Sequence, residues 1–227
     1  MDMEMKMDSH SSILEAVEEY ILCVNLHRDT IHAFSTINQL LEVANIDERD
    51  PNGCTALMLL TEDEDFAEMV QKFVDAGAGL DIKNKDGATA LMRASDENCA
   101  EIVEILIKAG AGLDIKDKDG ATALMRASDE NCAEIVEILI KAGAGLDIID
   151  GDGKTALMRA TCRGYRKIAE ILIKAGADLE IKDGDGKTAL KQAIDFDRLI
   201  DIAKLLIDAG ANGDWRRWMR DRRPLHF

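Results

Sequence analysis

Apolar positions along the chain fall in short runs that return at a fixed distance. Leu91 and Ala94 lie three residues apart, and Ile102, Ile105 and Leu106 follow at i, i+3 and i+4 with Val103 beside them. Both spacings are helical. The first predicts a short helix over about Ala90 to Asp96, with Thr89 placed as its N-cap. The second predicts a helix over about Ala100 to Ala109 that stops at Gly110, the residue type that best takes a left-handed cap. The polar letters DEN between the two runs break the first helix. After each second helix comes a polar stretch, AGLDIKNKDG in one copy and AGLDIKDKDG in the next. It reads as extended chain running into a glycine turn, half of a β-hairpin finger.

The turn glycines Gly53, Gly87, Gly120, Gly153 and Gly186 are separated by 34, 33, 33 and 33 residues. A period of that length marks a stacked array, in which no single unit buries its apolar stripe alone. Residues 88–115 and 121–148 are identical, and over the whole repeat the two copies differ only at Asn84 and Asp117. Stacked layers permit such sameness, because each buried stripe meets an equivalent one. The first full unit gains one residue in LLTEDEDFAEMV and the last gains one in QAIDFDRLIDIA, both near the link between helices.

A unit of turn, helix, helix and finger, with TALM at the first helix and EIVEILIKAGA at the second, resembles the ankyrin repeat. The resemblance covers residues 46–211 as five units, and residues 11–45 resemble a divergent first repeat serving as N-terminal cap. It implies an all-α fold, an α-solenoid of helix-turn-helix repeats with β-hairpin fingers, and a function in protein binding without catalysis. Two departures stand out. The proline usual at the first helical position is Ala56, Ala90, Ala123, Ala156 or Ala189, a good helix former. The usual histidine is Met58, Met92, Met125, Met158 or Lys191, so the hydrogen bond it makes to a neighbouring finger is absent.

Composition narrows the partners. Apolar residues make up 47% of the chain but aromatic ones only 4%, so the core is built from aliphatic side chains and methionine in thin layers. Forty-four acidic against twenty-eight basic residues give a formal charge of −16, which repels phosphate backbones and anionic lipid. No apolar run approaches the roughly 18 residues of a spanning helix, and the opening MDMEMKMDSH lacks a secretory pattern. A cytoplasmic monomer with a protein partner, without nucleic acid or membrane, is the expectation. Residues 1–10 read as a flexible leader. The five cysteines show no CxxC spacing and read as free thiols, with Cys99 and Cys132 packed at the turn between helices.

Three stretches, IKDKDGATALMR, IIDGDGKTALMR and IKDGDGKTALKQ, contain the D-x-D-G core of a calcium loop. Asp117 and Asp119, Asp150 and Asp152, or Asp183 and Asp185 would supply its third and fifth ligands. The first position is then Ile115, Ile148 or Ile181, and the twelfth, which needs a bidentate carboxylate, is Arg126, Arg159 or Gln192. No metal or cofactor is expected. No catalytic constellation is expected either, because His10, His27, His32 and His226 all lie in the terminal segments, apart from any candidate nucleophile.

What the array does offer is one side chain projected from successive layers. In ankyrin proteins the first helix lines the concave face, so Arg93, Arg126 and Arg159 would form a ladder there. Asp96, Glu97, Asp129 and Glu130 stand beside them, with Cys162 and Arg163 taking over in the next unit. The plainer reading pairs each arginine with carboxylates of its own or the adjacent layer; the sharper one makes the strip a recognition surface. Finger tips give a second surface, with Lys83, Lys85, Lys116, Lys118 and Lys182 and an apolar Ile149 that either anchors a partner or packs on its neighbour. The tail from residue 212 onward carries Trp215, Arg216, Arg217 and Trp218, and reads either as a cap on the last repeat or as a docking segment. Two alternatives to a binding module remain: an acidic mimic of nucleic acid that inhibits a basic protein, and a structural array lengthened by duplication.

Overall fold

The computed structural model describes residues 12–26, 31–42, 44–195 and 199–213. Among these it contains twelve α-helices, which fall into two units. The first unit, residues 1–112, holds α1 (Ile13–Asn25), α2 (Ile31–Leu40), α3 (Ala56–Leu59), α4 (Ala67–Asp75), α5 (Ala90–Asp96) and α6 (Ala100–Lys108). The second, residues 113–227, holds α7 (Ala123–Asp129), α8 (Ala133–Lys141), α9 (Ala156–Arg163), α10 (Arg166–Lys174), α11 (Ala189–Asp195) and α12 (Ile200–Asp208). The architecture is an all-α repeat solenoid of antiparallel helix pairs.

Each first helix starts the same way. Thr89 is extended, at φ −95° and ψ 171°, and its hydroxyl accepts the backbone N–H of Met92 at 3.4 Å. Thr55, Thr122 and Thr155 do likewise for Met58, Met125 and Met158. Each cap satisfies one of the donors that a helix start leaves open. The break that DEN produces has a specific cause, since Asn98 and Asn131 take φ of 59° and 63°, the left-handed region that asparagine tolerates best after glycine. The second helix ends one residue earlier than the spacing predicts: Lys108 is its last residue and Ala109 its cap. Ala111 N–H then donates to Leu106 O at 3.0 Å across Gly110, closing the end.

Cores lie between helix pairs. Leu91, Ile102, Val103 and Leu106 are fully buried in the first unit, and Leu124, Ile135, Val136 and Leu139 in the second. Ile105, expected in the same stripe, is only half-buried, because its position turns toward the edge of the layer. The methionines that replace the family histidine, Met58, Met92, Met125 and Met158, are all buried apolar filling. At the start of the first unit α1 packs on α2 and α3, and Tyr20 stacks its ring 6.1 Å from Phe34 and 5.9 Å from Phe66. Burial, with Glu68 and Asp65 nearby, pushes the Tyr20 phenol up. The extra residue of the first full unit is absorbed in a single 3-10 turn, Glu64–Phe66, which buries Phe66.

The fingers depart from the expected hairpins. Named strands are absent among the described residues, and the one bridge is Arg49 with Thr55. What remains of each hairpin is its loop. Asp117 N–H donates to Ala121 O at 2.9 Å, Gly120 N–H returns to Asp117 O at 3.1 Å, and Gly120 takes φ +80°. This is a three-residue loop with a left-handed glycine and no ladder behind it. In its place, fingers pair sideways through single backbone bonds: Lys85 N–H to Asn52 O at 2.8 Å in the first unit, Gly151 N–H to Asp119 O at 2.8 Å and Gly184 N–H to Asp152 O at 2.7 Å in the second. The tail residues Trp215, Arg216, Arg217 and Trp218, and the residue gained by the last unit near positions 196–198, lie outside the described residues.

The close approach of neighbouring fingers makes Gly120 different from a glycine that only caps a helix. A Cβ on Gly120 would sit 2.8 Å from the backbone nitrogen of Gly151, whereas one on Gly143, at φ +94°, meets nothing within 4 Å. Gly143→Ala is expected to cost about 1–2 kcal/mol for its backbone alone, and Gly120→Ala about 1–3 kcal/mol more for the clash. Urea unfolding of both variants checks the order; equal losses would show that the finger spacing yields freely.

Candidate functional site

One residue per unit organises each finger and, through it, the first helix that follows. The Oδ1 atom of Asp117 accepts backbone N–H groups from Asp119 at 2.9 Å and Ala121 at 2.8 Å. Its Oδ2 accepts the Nε and Nη2 of Arg126 at 3.1 and 2.7 Å. Asp150 repeats the arrangement with Asp152 and Lys154 N–H groups and with Arg159, at 2.9 and 2.7 Å to the guanidinium. Asp183 repeats it with Asp185, Lys187 and the amide of Gln192, the last at 2.6 Å. Asp50 and Asn84 close their own fingers in the same way. In the units of Asp117, Asp150 and Asp183 the aspartate has two oxygens for two tasks, one closing the finger and the other holding the first helix that follows.

The single difference between the duplicated copies changes what the arginine does. Asn84 keeps the finger closed with its carbonyl, but its other atom is an amide nitrogen, a donor, which lies 3.7 Å from the sulfur of Cys54. Arg93 therefore meets no carboxylate at the position that Asp117 fills for Arg126. It donates instead to Met58 O at 3.1 Å and to Glu62 Oε1 at 2.5 Å, both in the preceding layer. Arg126, facing Asp117, takes the carboxylate. The ladder arginines are accordingly half-buried and ion-paired within the array. Asp96 is half-buried, and Glu97 and Glu130 are exposed.

In the second unit several of the predicted residues converge. Asp129, Arg159, Cys162 and Arg163, together with Asp150, Asp152 and Lys154, line a cavity of about 240 Å³. Arg159 bridges Asp129 and Asp150, and Arg163 Nε reaches Asp129 Oδ1 at 3.4 Å. Burial alone would lower the Arg159 guanidinium, but Asp129 and Asp150 outweigh it and hold it above its ordinary value. Burial pushes the Cys162 thiol up, Asp183 and Asp129 add to the effect, and Lys154 and Arg163 oppose it. The thiol donates to Gln192 Oε1 at 3.1 Å. Cys99 and Cys132 are buried at the turns between helices, with sulfurs 3.7 and 3.6 Å from the carbonyls of Glu97 and Glu130.

A larger cleft, about 640 Å³, lies between finger tips and is lined by Ile149 to Lys154 and by Asp183, Gly184 and Asp185. Ile149 is 43% exposed at its edge. Lys116 Nζ donates to Ile149 O at 2.8 Å and so ties its finger to the next. Lys83, Lys85, Lys118 and Lys182 are exposed and line neither space. Asp117, Asp150 and Asp183 were considered only as calcium ligands by sequence. The signal for their role was nevertheless present: the arginine that disqualifies the calcium loop at its twelfth position is the partner of the aspartate at its third.

Two expectations follow for these carboxylates. Asp117→Asn should destabilise by about 1–3 kcal/mol, because a charged acceptor becomes a donor facing Arg126, while Asn84→Asp should gain up to about 1 kcal/mol. Urea midpoints at unchanged slope test both, and an equal, opposite pair of effects would mean that the two layers are interchangeable. The second concerns acid. Burial works against the charge of Asp183, but the N–H groups of Lys187 and Asp185 and the Gln192 amide hold its carboxyl below its ordinary 3.8. A depressed carboxyl stabilises fully above its unfolded value and loses that stabilisation as pH falls through the lower folded value. As pH falls from about 5, Asp183→Asn should therefore lose less stability than wild type, as read from urea midpoints at successive pH values.

A family model described as ankyrin repeats (3 copies) matches in four overlapping placements, at residues 26–117, 63–151, 104–183 and 143–216. A search of the curated proteins finds no match. Among the described residues no helix is long and apolar enough to cross a membrane. Repeats of this kind are generally protein–protein interaction modules and typically carry no enzymatic activity. With the matched placements running from residue 26 to residue 216, the chain belongs to the ankyrin-repeat family.

Proposed function

We propose that this chain is a non-catalytic protein-binding module whose partner is held in the second unit, by the first-helix side chains Arg159, Cys162 and Arg163 and the fingers at Ile149–Lys154 and Asp183–Asp185. The observation that carries the reading is the exposed Ile149 at the rim of the cleft between finger tips. A β-branched apolar side chain standing in water beside charged and glycine-rich tips is a natural anchor, because desolvating it on binding contributes more than any of the surrounding surface ion pairs. The guanidiniums and carboxylates of the adjoining cavity supply orientation more than affinity. In this reading α1 and α2 form the divergent N-terminal cap, and the chain acts as a cytoplasmic monomer without nucleic acid or membrane. The nucleic-acid mimic rests on net charge alone, and the structural array on duplication alone.

Ile200, 39% exposed at the start of α12, offers a matched control in the same unit. Ile149→Asp is expected to cut recovery of the bound protein in affinity capture about 30-fold, the effect of losing roughly 2 kcal/mol at a hot spot. Ile200→Asp should leave recovery unchanged, with both variants melting near wild type. Equal recovery by the two variants would remove the finger from the binding surface.

A further inference from the structure

The link between the helices of a layer is acidic where it repeats. Residues 97–101 read ENCAE, and residues 130–134 read the same. At residues 163–167 the link becomes RGYRK, a change of two glutamates and an alanine to three cations within one turn. Gly164 takes φ +82°, close to the left-handed angle of Asn98 and Asn131, so the backbone path is kept while the surface is replaced.

The replacement runs against helix electrostatics. α6 and α8 carry Glu101 and Glu134 in their first turns, where carboxylates meet the positive end of the helix dipole. α10 opens with Arg166 and Lys167 and has no acidic residue in that turn. Both cations are exposed, and neither side chain has a hydrogen bond or ion pair among the described residues; Arg166 only draws Glu170 from a distance. Arg163 is 56% exposed and commits only its Nε, to Asp129 at 3.4 Å. Tyr165 stands half-exposed where Cys99 and Cys132 are buried. The cavity shared by Asp129, Arg159 and Cys162 opens beside Arg163. An arrangement that costs local stability and leaves cations without a partner among the described residues is where a binding role is to be sought.

We infer that this face docks a short acidic segment of a protein partner, its carboxylates lying against Arg163, Arg166 and Lys167 and completing the uncompensated end of α10. The inference rests on the protein-binding reading above and names the partner's chemistry. The chain's overall negative charge does not forbid it, because charges beyond about 8 Å are screened at physiological salt. A nucleic acid fits less well: a phosphate backbone needs an extended basic track, and here Glu130, Glu134, Asp152 and Asp185 stand exposed elsewhere on the same unit.

The test uses the full chain and a labelled hexaglutamate peptide, with hexathymidylate as comparison. Arg163→Glu, Arg166→Ala and Lys167→Glu together install the residues of the duplicated layers, so the variant's link carries side chains that this fold already accommodates. It is expected to bind hexaglutamate about tenfold more weakly, three exposed charge contacts being lost, and to melt at or above the wild-type temperature. Equal affinity in the two proteins, no binding by wild type, or hexathymidylate binding as well as the peptide would each overturn the inference. A lowered melting temperature would overturn it too, since the cations would then be structural. Captured partner lost in Ile149→Asp but kept in the triple variant would remove this inference and leave the module reading standing.

Discussion

An aspartate or asparagine side chain that closes on its own backbone is the contact on which the rest of each layer depends. At positions 50, 84, 117, 150 and 183 its oxygen takes two N–H groups that would otherwise point outward from the finger. With the loop held in that shape, a glycine can bring its backbone against the next finger, as Gly120 does against Gly151 within the second unit. Layer spacing is then set by backbone bonds on this edge and by side-chain carboxylates on the other. On the opposite edge Asp47 and Asp81 accept the N–H groups of Gly79 and Gly112 in the first unit, and Asp114 and Asp147 those of Gly145 and Asp178 in the second, each at 2.8 Å.

Burial, not these bonds, supplies most of the stability. Four fully buried aliphatic side chains in one layer contribute about 1.5–3 kcal/mol each, against roughly 1 kcal/mol net for a hydrogen bond. The polar ties decide which way the buried stripes face one another. That division explains why copying a unit is tolerated. The stripe needs only an equivalent neighbour, and the ties are made by residues carried inside the copied segment or by its backbone.

Helices, caps and buried stripes were legible in the sequence because they depend on local order: Thr-x-Leu at a helix start and i, i+3, i+4 along a helix each report a contact within one unit. The left-handed Asn98 and Asn131 were legible only as a break, since asparagine signals a turn without fixing its angle. Of the finger hairpins the structure shows the loops but not the ladders, because extended sequence does not say whether a ladder forms. The arginine ladder was visible as a repeat, but its occupation was not. Arg93 and Arg126 have identical neighbours in sequence for many residues on either side. Their different partners come from Asn84 and Asp117, nine residues upstream, and from Glu62 in another layer.

Duplication therefore makes the exceptions informative. Where two layers share every residue but one, their surfaces can differ only as that residue and the adjoining layers allow, as at Arg93 and Arg126. The next layer keeps the inherited core, with Leu157, Ile168 and Leu172 buried in the places of Leu124, Ile135 and Leu139. It keeps the closing aspartate as well. Two buried positions do change, Val136 to Ala169 and Ser128 to Thr161, but most of the changes lie outside the core: Ile149 and Gly151 at the finger, Cys162 after the arginine, and the RGYRK link. None of these is needed to stack a layer, since layers without them stack in the same molecule. Arg166 and Lys167 work against the helix they begin. Concentrating the changes of one layer at its link and finger, with most of the buried stripe retained, is the pattern expected when binding, rather than folding, dictates the difference.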